Sequence, residues 1–114
     1  MERVAEVGFL LAFYGKLLTE KQEDMMHQYF DEDQSLAEIA ENAGVSRQAV
    51  HDIINRSEHK LREYEDKLRL AKQFQMVIGE LEEIRADVQG MAGEGEQRQQ
   101  IVDKLTGLIE KWEE

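Results

Sequence analysis

Apolar residues recur at steps of three or four along most of the chain, which is the spacing of one face of an α-helix. This pattern predicts helices over residues 3–16, 19–31, 35–43 and 97–112, together with one that begins at Ser46. Residues that favour helices dominate, proline is absent, and strand signals are few. The predicted fold class is therefore all-α, with an N-terminal helix and a long C-terminal helical extension.

The fourth helix is expected to be long, because its apolar stripe continues from Leu61 to Met91 without a change of period. It should continue, or bend once, and end near Gln89, and a straight helix from Ser46 would then be roughly 65 Å long. A small core cannot cover that length. The stripe therefore needs a partner, either a second subunit or the last helix folded back, and the pattern favours a homodimer joined through the C-terminal helices.

Residues 35–56 carry the local signals of a helix-turn-helix. Ser35 and Glu38 form a capping box, in which each side chain binds the backbone amide of the other residue. Gly44 follows the last apolar residue of the third helix, where glycine adopts a positive φ at little cost. Ser46 is a favourable N-cap, and Ala40 is small enough for two helices to cross closely. The combination predicts a helix-turn-helix; the alternative is an ordinary helical hairpin with no role in nucleic acid binding.

The chain is predicted to consist of a helix-turn-helix domain, residues 1–62, and a C-terminal helical extension, residues 63–114. Three glycines within residues 90–96 mark a flexible linker inside the extension. An apolar run near the N-terminus, residues 4–18, is too short to span a bilayer and is interrupted by Lys16. We interpret that run as a core or dimer helix, in preference to a membrane-surface or partner-binding helix.

The outward face of the helix that begins at Ser46 is the candidate nucleic-acid-binding surface, because recognition helices of this motif enter the major groove of DNA. Arg47 would contact phosphate or guanine, and Arg56 would hold the DNA backbone. Gln48 and Asn55 have the amide groups that read adenine, and the Asp52 carboxylate would accept a hydrogen bond from cytosine. The full set of candidate residues is Ser46, Arg47, Gln48, His51, Asp52, Asn55, Arg56 and Lys60.

Four sequence blocks lie between Phe13 and about Phe74: FYGKLLTEKQ, DEDQSLAEIAE, VSRQAVHD and YEDKLRLAKQFQ. In this combination the chain resembles the YlxM family of small bacterial proteins. The resemblance implies a helix-turn-helix without a wing, similar to domain 4 of sigma factors, in a cytoplasmic protein. It also implies a DNA-binding regulatory role and a part in the signal recognition particle pathway. In that family an aromatic residue usually stands at the position of His51 and a lysine at that of Asn55, so this chain has one phosphate contact fewer.

The chain carries a net charge of −11, from 25 acidic and 14 basic residues. This charge weakens DNA binding, because non-specific affinity comes mostly from the neutralisation of phosphates. Residues 46–62 nevertheless carry a net charge of +2, so the candidate helix is a mildly basic strip on an acidic chain. Two functions follow: a DNA-binding regulator, or a protein-binding accessory factor of the signal recognition particle that uses the helix-turn-helix as a docking scaffold. A helical assembly protein is a third hypothesis.

Patterns that carry catalysis or bind metals are missing from the sequence. The chain has no cysteine, which excludes disulfides and thiol catalysis. It has no glycine-rich phosphate-binding motif and no GxSxG nucleophile motif. His51 and His59 would lie about 12 Å apart along a helix, too far to share a metal. The sequence therefore predicts no enzyme activity, no metal and no cofactor, and it shows no aromatic platform on which RNA bases would stack.

Overall fold

The computed structural model describes residues 2–91 and 95–113, and within these residues the chain forms helices and no strand. The helices are α1 (Glu2–Tyr14), α2 (Glu20–Phe30), α3 (Leu36–Ala43), α4 (Arg47–Leu68), α5 (Leu70–Gln89) and α6 (Glu96–Glu113), with a short 3-10 turn over Gly15–Leu17. The predicted all-α class is confirmed. The predicted linker, residues 90–96, lies partly outside the described residues. None of the helices in the described ranges is long and apolar enough to cross a membrane.

The chain divides into two compact units, Met1–Ala71 and Lys72–Glu114, named the first and second units. The first unit contains α1 to α4 and the first two residues of α5. The sequence places the domain boundary earlier, after Arg62. Leu61, Ala71 and the apolar residues of α1 to α3 belong to the same buried cluster, so the whole of α4 is part of the first unit.

The core of the first unit is built from the apolar stripes of its four helices. Its buried side chains are Val7, Leu10, Leu11, Tyr14, Leu18, Met25, Met26, Phe30, Ile39, Ala40, Val50, Ile54, Leu61 and Ala71. α3 has only 8 residues, and a helix of that length is not stable alone in water. Burial of its apolar side against α2 and α4 is therefore what holds α3, and with it the helix-turn-helix, in place.

α4 ends at Leu68 and α5 begins at Leu70, so the helix that starts after Ser46 does not continue straight to Gln89. Arg69, between the two helices, has a φ of 55°, in the left-handed region. The straight helix of roughly 65 Å is therefore wrong. The break corresponds to the single bend that the sequence also allows.

The hydroxyl group of Tyr14 holds the break between α4 and α5. It donates a hydrogen bond to the carboxylate of Glu65 (2.6 Å) and accepts one from the amide of Leu70 (3.0 Å). The Glu65 carboxylate also accepts a hydrogen bond from the amide of Ala71 (3.1 Å). These bonds satisfy the first amides of α5, which have no partner within their own helix. Burial, together with the hydrogen bond to Glu65, raises the pKa of Tyr14.

α5 and α6 run antiparallel in the second unit. Phe74, near the start of α5, lies beside Trp112, near the end of α6, with ring centroids 6.4 Å apart. At the other end, the guanidinium of Arg98 donates a hydrogen bond to the carbonyl of Gln89 (3.3 Å). Buried apolar side chains of this hairpin are Ile78, Val102 and Ile109. Of the two partners that the sequence allows for the long stripe, the structure shows the last helix folded back on α5.

Candidate nucleic-acid interface

The turn between α3 and α4 has the geometry that the sequence predicts. Ser35 and Glu38 form the capping box, with hydrogen bonds of 3.0 and 3.1 Å between side chains and amides. α3 ends at Ala43, and Gly44 after it has a φ of 68° and a ψ of 32°, in the left-handed region. The hydroxyl of Ser46 then accepts a hydrogen bond from the amide of Ala49 (3.0 Å) and caps α4. Local residues therefore set both the end of α3 and the start of α4.

α4 buries one side against the core and turns the other side outward. Val50, Ile54 and Leu61 lie on the buried side. Ser57 is also buried there, and its hydroxyl donates a hydrogen bond to the carbonyl of Ile53 (2.7 Å), so the polar group has a partner within the helix. The remaining side of α4 carries the residues that the sequence singles out.

Seven of the eight candidate residues are exposed, and Asp52 is half-buried. The structure brings Gln48, Asp52 and Asn55 together at the centre of the outward side of α4, with His51 beside them. Ser46 and Arg47 lie at the start of the helix, apart from this centre. The third group, Arg56 and Lys60, lies one helical turn apart on one flank, since residues four positions apart are neighbours on a helix.

The centre of the candidate face is hydrogen-bonded within itself. The side-chain amide of Gln48 donates to the carboxylate of Asp52 (3.0 Å), and the amide nitrogen of Asn55 lies 3.4 Å from the ring nitrogens of His51. A base edge that is read by Gln48 must displace or share the bond to Asp52. Any hydrogen bond from Gln48 to a base therefore competes with its hydrogen bond to the Asp52 carboxylate.

Arg47, Arg56 and Lys60 supply the available positive charge of α4. None of the three forms an ion pair with any residue that the structure describes, and all three are exposed. Arg62 behaves differently, because its guanidinium binds the carboxylates of Glu6 and Glu58. Of the four basic residues that the sequence counts in residues 46–62, Arg62 is therefore already neutralised, and three remain available.

A network of ion pairs joins α1 to α4 beside the candidate face, and sequence reasoning missed it. The Nε atom of Arg3 donates to Glu58 at 3.0 Å, and the Nε atom of Arg62 donates to the other oxygen of Glu58 at 3.0 Å. Glu6 completes the network from α1. Arg3 and Glu58 are 55 positions apart in the chain, so no local pattern could have indicated this pairing.

Glu58→Gln is expected to lower the free energy of unfolding by about 1 kcal/mol at neutral pH, since its arginine partners are partly exposed. Burial alone raises the pKa of Glu58, but the hydrogen bonds from Arg3 and Arg62 outweigh burial and lower it. Because the folded pKa is the lower one, this stabilisation is present above about pH 4.3 and is lost as the pH falls through the folded value. Urea unfolding at neutral and acidic pH measures the difference.

The matched control is Glu63→Gln, because Glu63 lies on the same helix and pairs only with the exposed His59 among the described residues (3.0 Å). Its effect should be below about 0.5 kcal/mol at every pH. If the two variants lose the same stability at neutral pH, the network of Arg3, Glu58 and Arg62 does not stabilise the fold.

The capped turn, the buried crossing and the exposed outward side of α4 define this chain as a helix-turn-helix protein. The chain belongs to the UPF0122 family, whose family model, described as "Putative helix-turn-helix protein, YlxM / p13 like", matches residues 1–105. The resemblance to the YlxM family that the sequence blocks indicate is thereby confirmed.

Relatives in several bacteria cover most of the chain. A UPF0122 protein of Symbiobacterium thermophilum is 47% identical over 85 residues, which are 75% of this chain and 79% of that protein. A UPF0122 protein of Bacillus mycoides is 40% identical over 108 residues, 92% of this chain and 98% of that protein. A UPF0122 protein of Clostridium perfringens is 40% identical over 110 residues, 96% of this chain and 98% of that protein. The similarity therefore extends through both units.

Proposed function

We propose that this protein binds DNA as a homodimer in the bacterial cytoplasm, with α4 as the helix that enters the major groove. The observation that carries the proposal is the position of Arg47, Arg56 and Lys60, which are exposed on α4 and unpaired within the described residues. In a chain of net charge −11, basic groups left unpaired on the outward side of a helix-turn-helix are the groups that phosphates would bind.

The proposed roles follow the positions on α4. Arg47 lies at the helix N-terminus, where the unpaired amides of the first turn also favour phosphate. Arg56 and Lys60 would hold the backbone on one flank. Gln48 and Asn55 would read adenine, and Asp52 would accept a hydrogen bond from cytosine.

The expected affinity is moderate and strongly dependent on salt. Three unpaired cations in each copy give a slope of log K against log salt of at most about −2.7, or roughly −5 for a dimer. A count of four cations from the sequence would include Arg62, which is bound to Glu6 and Glu58. The protein should therefore bind DNA weakly without sequence specificity, and any tight binding must come from contacts with bases.

Arg56→Ala/Lys60→Ala is expected to weaken DNA binding about tenfold or more at low salt and to reduce the salt slope by about two for each copy. The measurement is fluorescence anisotropy with pooled genomic fragments at several salt concentrations. The matched control is Lys16→Ala/Lys21→Ala, which removes two positive charges from outside α4 and should leave the slope unchanged. If wild-type protein at micromolar concentration binds no fragment at low salt, the DNA-binding proposal fails.

A second candidate function is docking of α4 on a basic protein surface without DNA binding. The observation that favours it is the Asp52 carboxylate at the centre of the outward side, held by Gln48. From the resemblance to the YlxM family, the partner would be a component of the signal recognition particle, and that link stays a prediction, as does the similarity to domain 4 of sigma factors. Asp52→Asn separates the two functions, because it removes a negative charge beside the phosphates and should strengthen non-specific binding to pooled genomic fragments, whereas it should weaken capture of a basic protein partner.

A further inference from the structure

The hairpin of α5 and α6 leaves apolar side chains exposed along both helices. Five of them, Val77, Ile84, Ile101, Leu108 and Trp112, are 41% to 60% exposed, and together they are named the apolar face. Single exposed apolar residues are common on protein surfaces, whereas a contiguous group marks an interaction site. The positions of these five residues on the hairpin show whether they are scattered or contiguous.

The apolar face lies on one side of the hairpin. Each of four members stands one position before a residue that is buried or half-buried in the hairpin: Val77 before Ile78, Ile84 before Arg85, Ile101 before Val102, and Leu108 before Ile109. Consecutive residues of an α-helix lie about 100° apart around the helix axis. Each of these four apolar residues therefore lies about 100° around its helix from the side that contacts the other helix, in the same direction of rotation on both helices. Because α5 and α6 run antiparallel, equal rotations place both sets on the same side. The five residues therefore form a contiguous surface.

Opposite charges border the two edges of the apolar face. Glu80 and Asp87 stand three positions after Val77 and Ile84, on the outer edge of α5, and are named the acidic rim. Lys104 and Lys111 stand three positions after Ile101 and Leu108, on the outer edge of α6, and are named the basic rim. All four charged side chains are exposed, and none forms an ion pair with another residue in the described ranges. The hairpin therefore presents an apolar strip with one acidic and one basic edge.

We infer that the apolar face docks on the same face of a second copy of the chain, related by a two-fold axis parallel to the helices. This axis places α5 of one protomer against α6 of its partner and forms a four-helix arrangement. The acidic rim of each protomer then lies beside the basic rim of its partner, so the dimer contains two such contacts. The antiparallel register puts Glu80 near the level of Gly107 of α6. The partner's Lys104 and the partner's Lys111 would then stand within about 6 Å of the level of Glu80 along the helix axis.

The charges favour this arrangement over other occupants of the face. A two-fold axis perpendicular to the helices would place α5 on α5 and bring the two acidic rims together, which is repulsive. An anionic lipid surface would attract the basic rim but would be repelled by the acidic rim, so the charges of this face do not favour it, and an apolar strip offers nucleic acid little neutralisation of phosphates. A second copy supplies the missing charge at both edges. The inference deepens the proposed homodimer and does not depend on DNA binding.

The test exchanges the charges of the rims and measures association by sedimentation equilibrium at low salt. Glu80→Lys/Asp87→Lys and Lys104→Glu/Lys111→Glu should each raise the dimer dissociation constant roughly tenfold or more, because attractive pairs become repulsive. An equimolar mixture of the two variants should associate as wild type does, since each α5 then faces a partner α6 of opposite charge. The chain with all four substitutions should also dimerise, and its net charge equals that of wild type.

The matched control is Glu82→Lys/Glu110→Lys, which makes the same charge change on exposed residues away from the apolar face and should leave association unchanged. A wild-type monomer throughout the concentration range overturns the inference. So does a mixture of the two rim variants that remains monomeric while each variant is helical by circular dichroism. No DNA is present in this experiment, so a dimer that binds no DNA refutes DNA binding and leaves the interface standing. A monomer that binds DNA refutes the inferred interface and the homodimer, and leaves DNA binding by α4 standing.

Discussion

Leu61→Ala is expected to lower the free energy of unfolding by about 2–5 kcal/mol, the largest effect among the substitutions considered. Leu61 is 0% exposed and lies in α4 within the core of the first unit. Truncation removes buried methyl groups and leaves a cavity that the neighbouring helices fill only in part, so both the transfer energy and the packing are lost. Urea unfolding followed by far-ultraviolet circular dichroism measures the change.

Leu68→Ala is the matched control, because it is the same substitution in the same helix. Leu68 is 49% exposed, and a surface substitution of this kind changes stability by less than about 0.5 kcal/mol. A comparable loss of stability in both variants would show that Leu61 is not the packed residue that the structure describes.

Gly44→Ala is expected to destabilise the protein by about 1–2 kcal/mol, the cost of a side chain in the left-handed region. The φ of Gly44 is 68°, and a Cβ atom at this position would meet nothing within 4 Å. The effect therefore comes from the backbone conformation of the turn and not from a clash. Because the turn sets the direction of α4 relative to α3, the strain falls on the helix-turn-helix itself.

Gly79→Ala is the matched control for Gly44→Ala, and its effect has the opposite sign. Gly79 lies within α5, its φ is not positive, and a Cβ atom there would also meet nothing within 4 Å. Alanine should stabilise that helix by about 0.5–1 kcal/mol. Chemical denaturation of the two variants beside wild type tests both values, and the same sign in both would contradict the assigned backbone of the turn.

The helix-turn-helix was predictable from the sequence because its signals are local. The capping residues Ser35 and Glu38 lie three positions apart, and Gly44 and Ser46 mark the end of one helix and the cap of the next. Each of these residues acts on backbone groups within a few positions of itself. The exposure of the candidate residues of α4 followed in the same way, from the period of the apolar stripe.

The charge available on α4 could not be predicted from the sequence. Arg62 and Arg56 look alike in the chain, yet Arg62 is bound to Glu58 and to Glu6 of α1, whereas Arg56 has no ion-pair partner among the described residues. The partner Glu6 is 56 positions away. The packing of α1 beside α4 therefore determines which basic side chains of α4 are available to bind a phosphate.

The sequence alone determined the helical class, the capped turn and the outward side of α4, because these depend on helical periodicity and on contacts within one or two turns. Only the tertiary structure decided where the long apolar stripe is interrupted and what covers it. The break at Arg69 depends on the Tyr14 hydroxyl, supplied from the end of α1 to the first amide of α5. The packing of α6 on α5 depends on which apolar side chains meet across the hairpin, and a periodic pattern specifies a face without naming the partner that buries it.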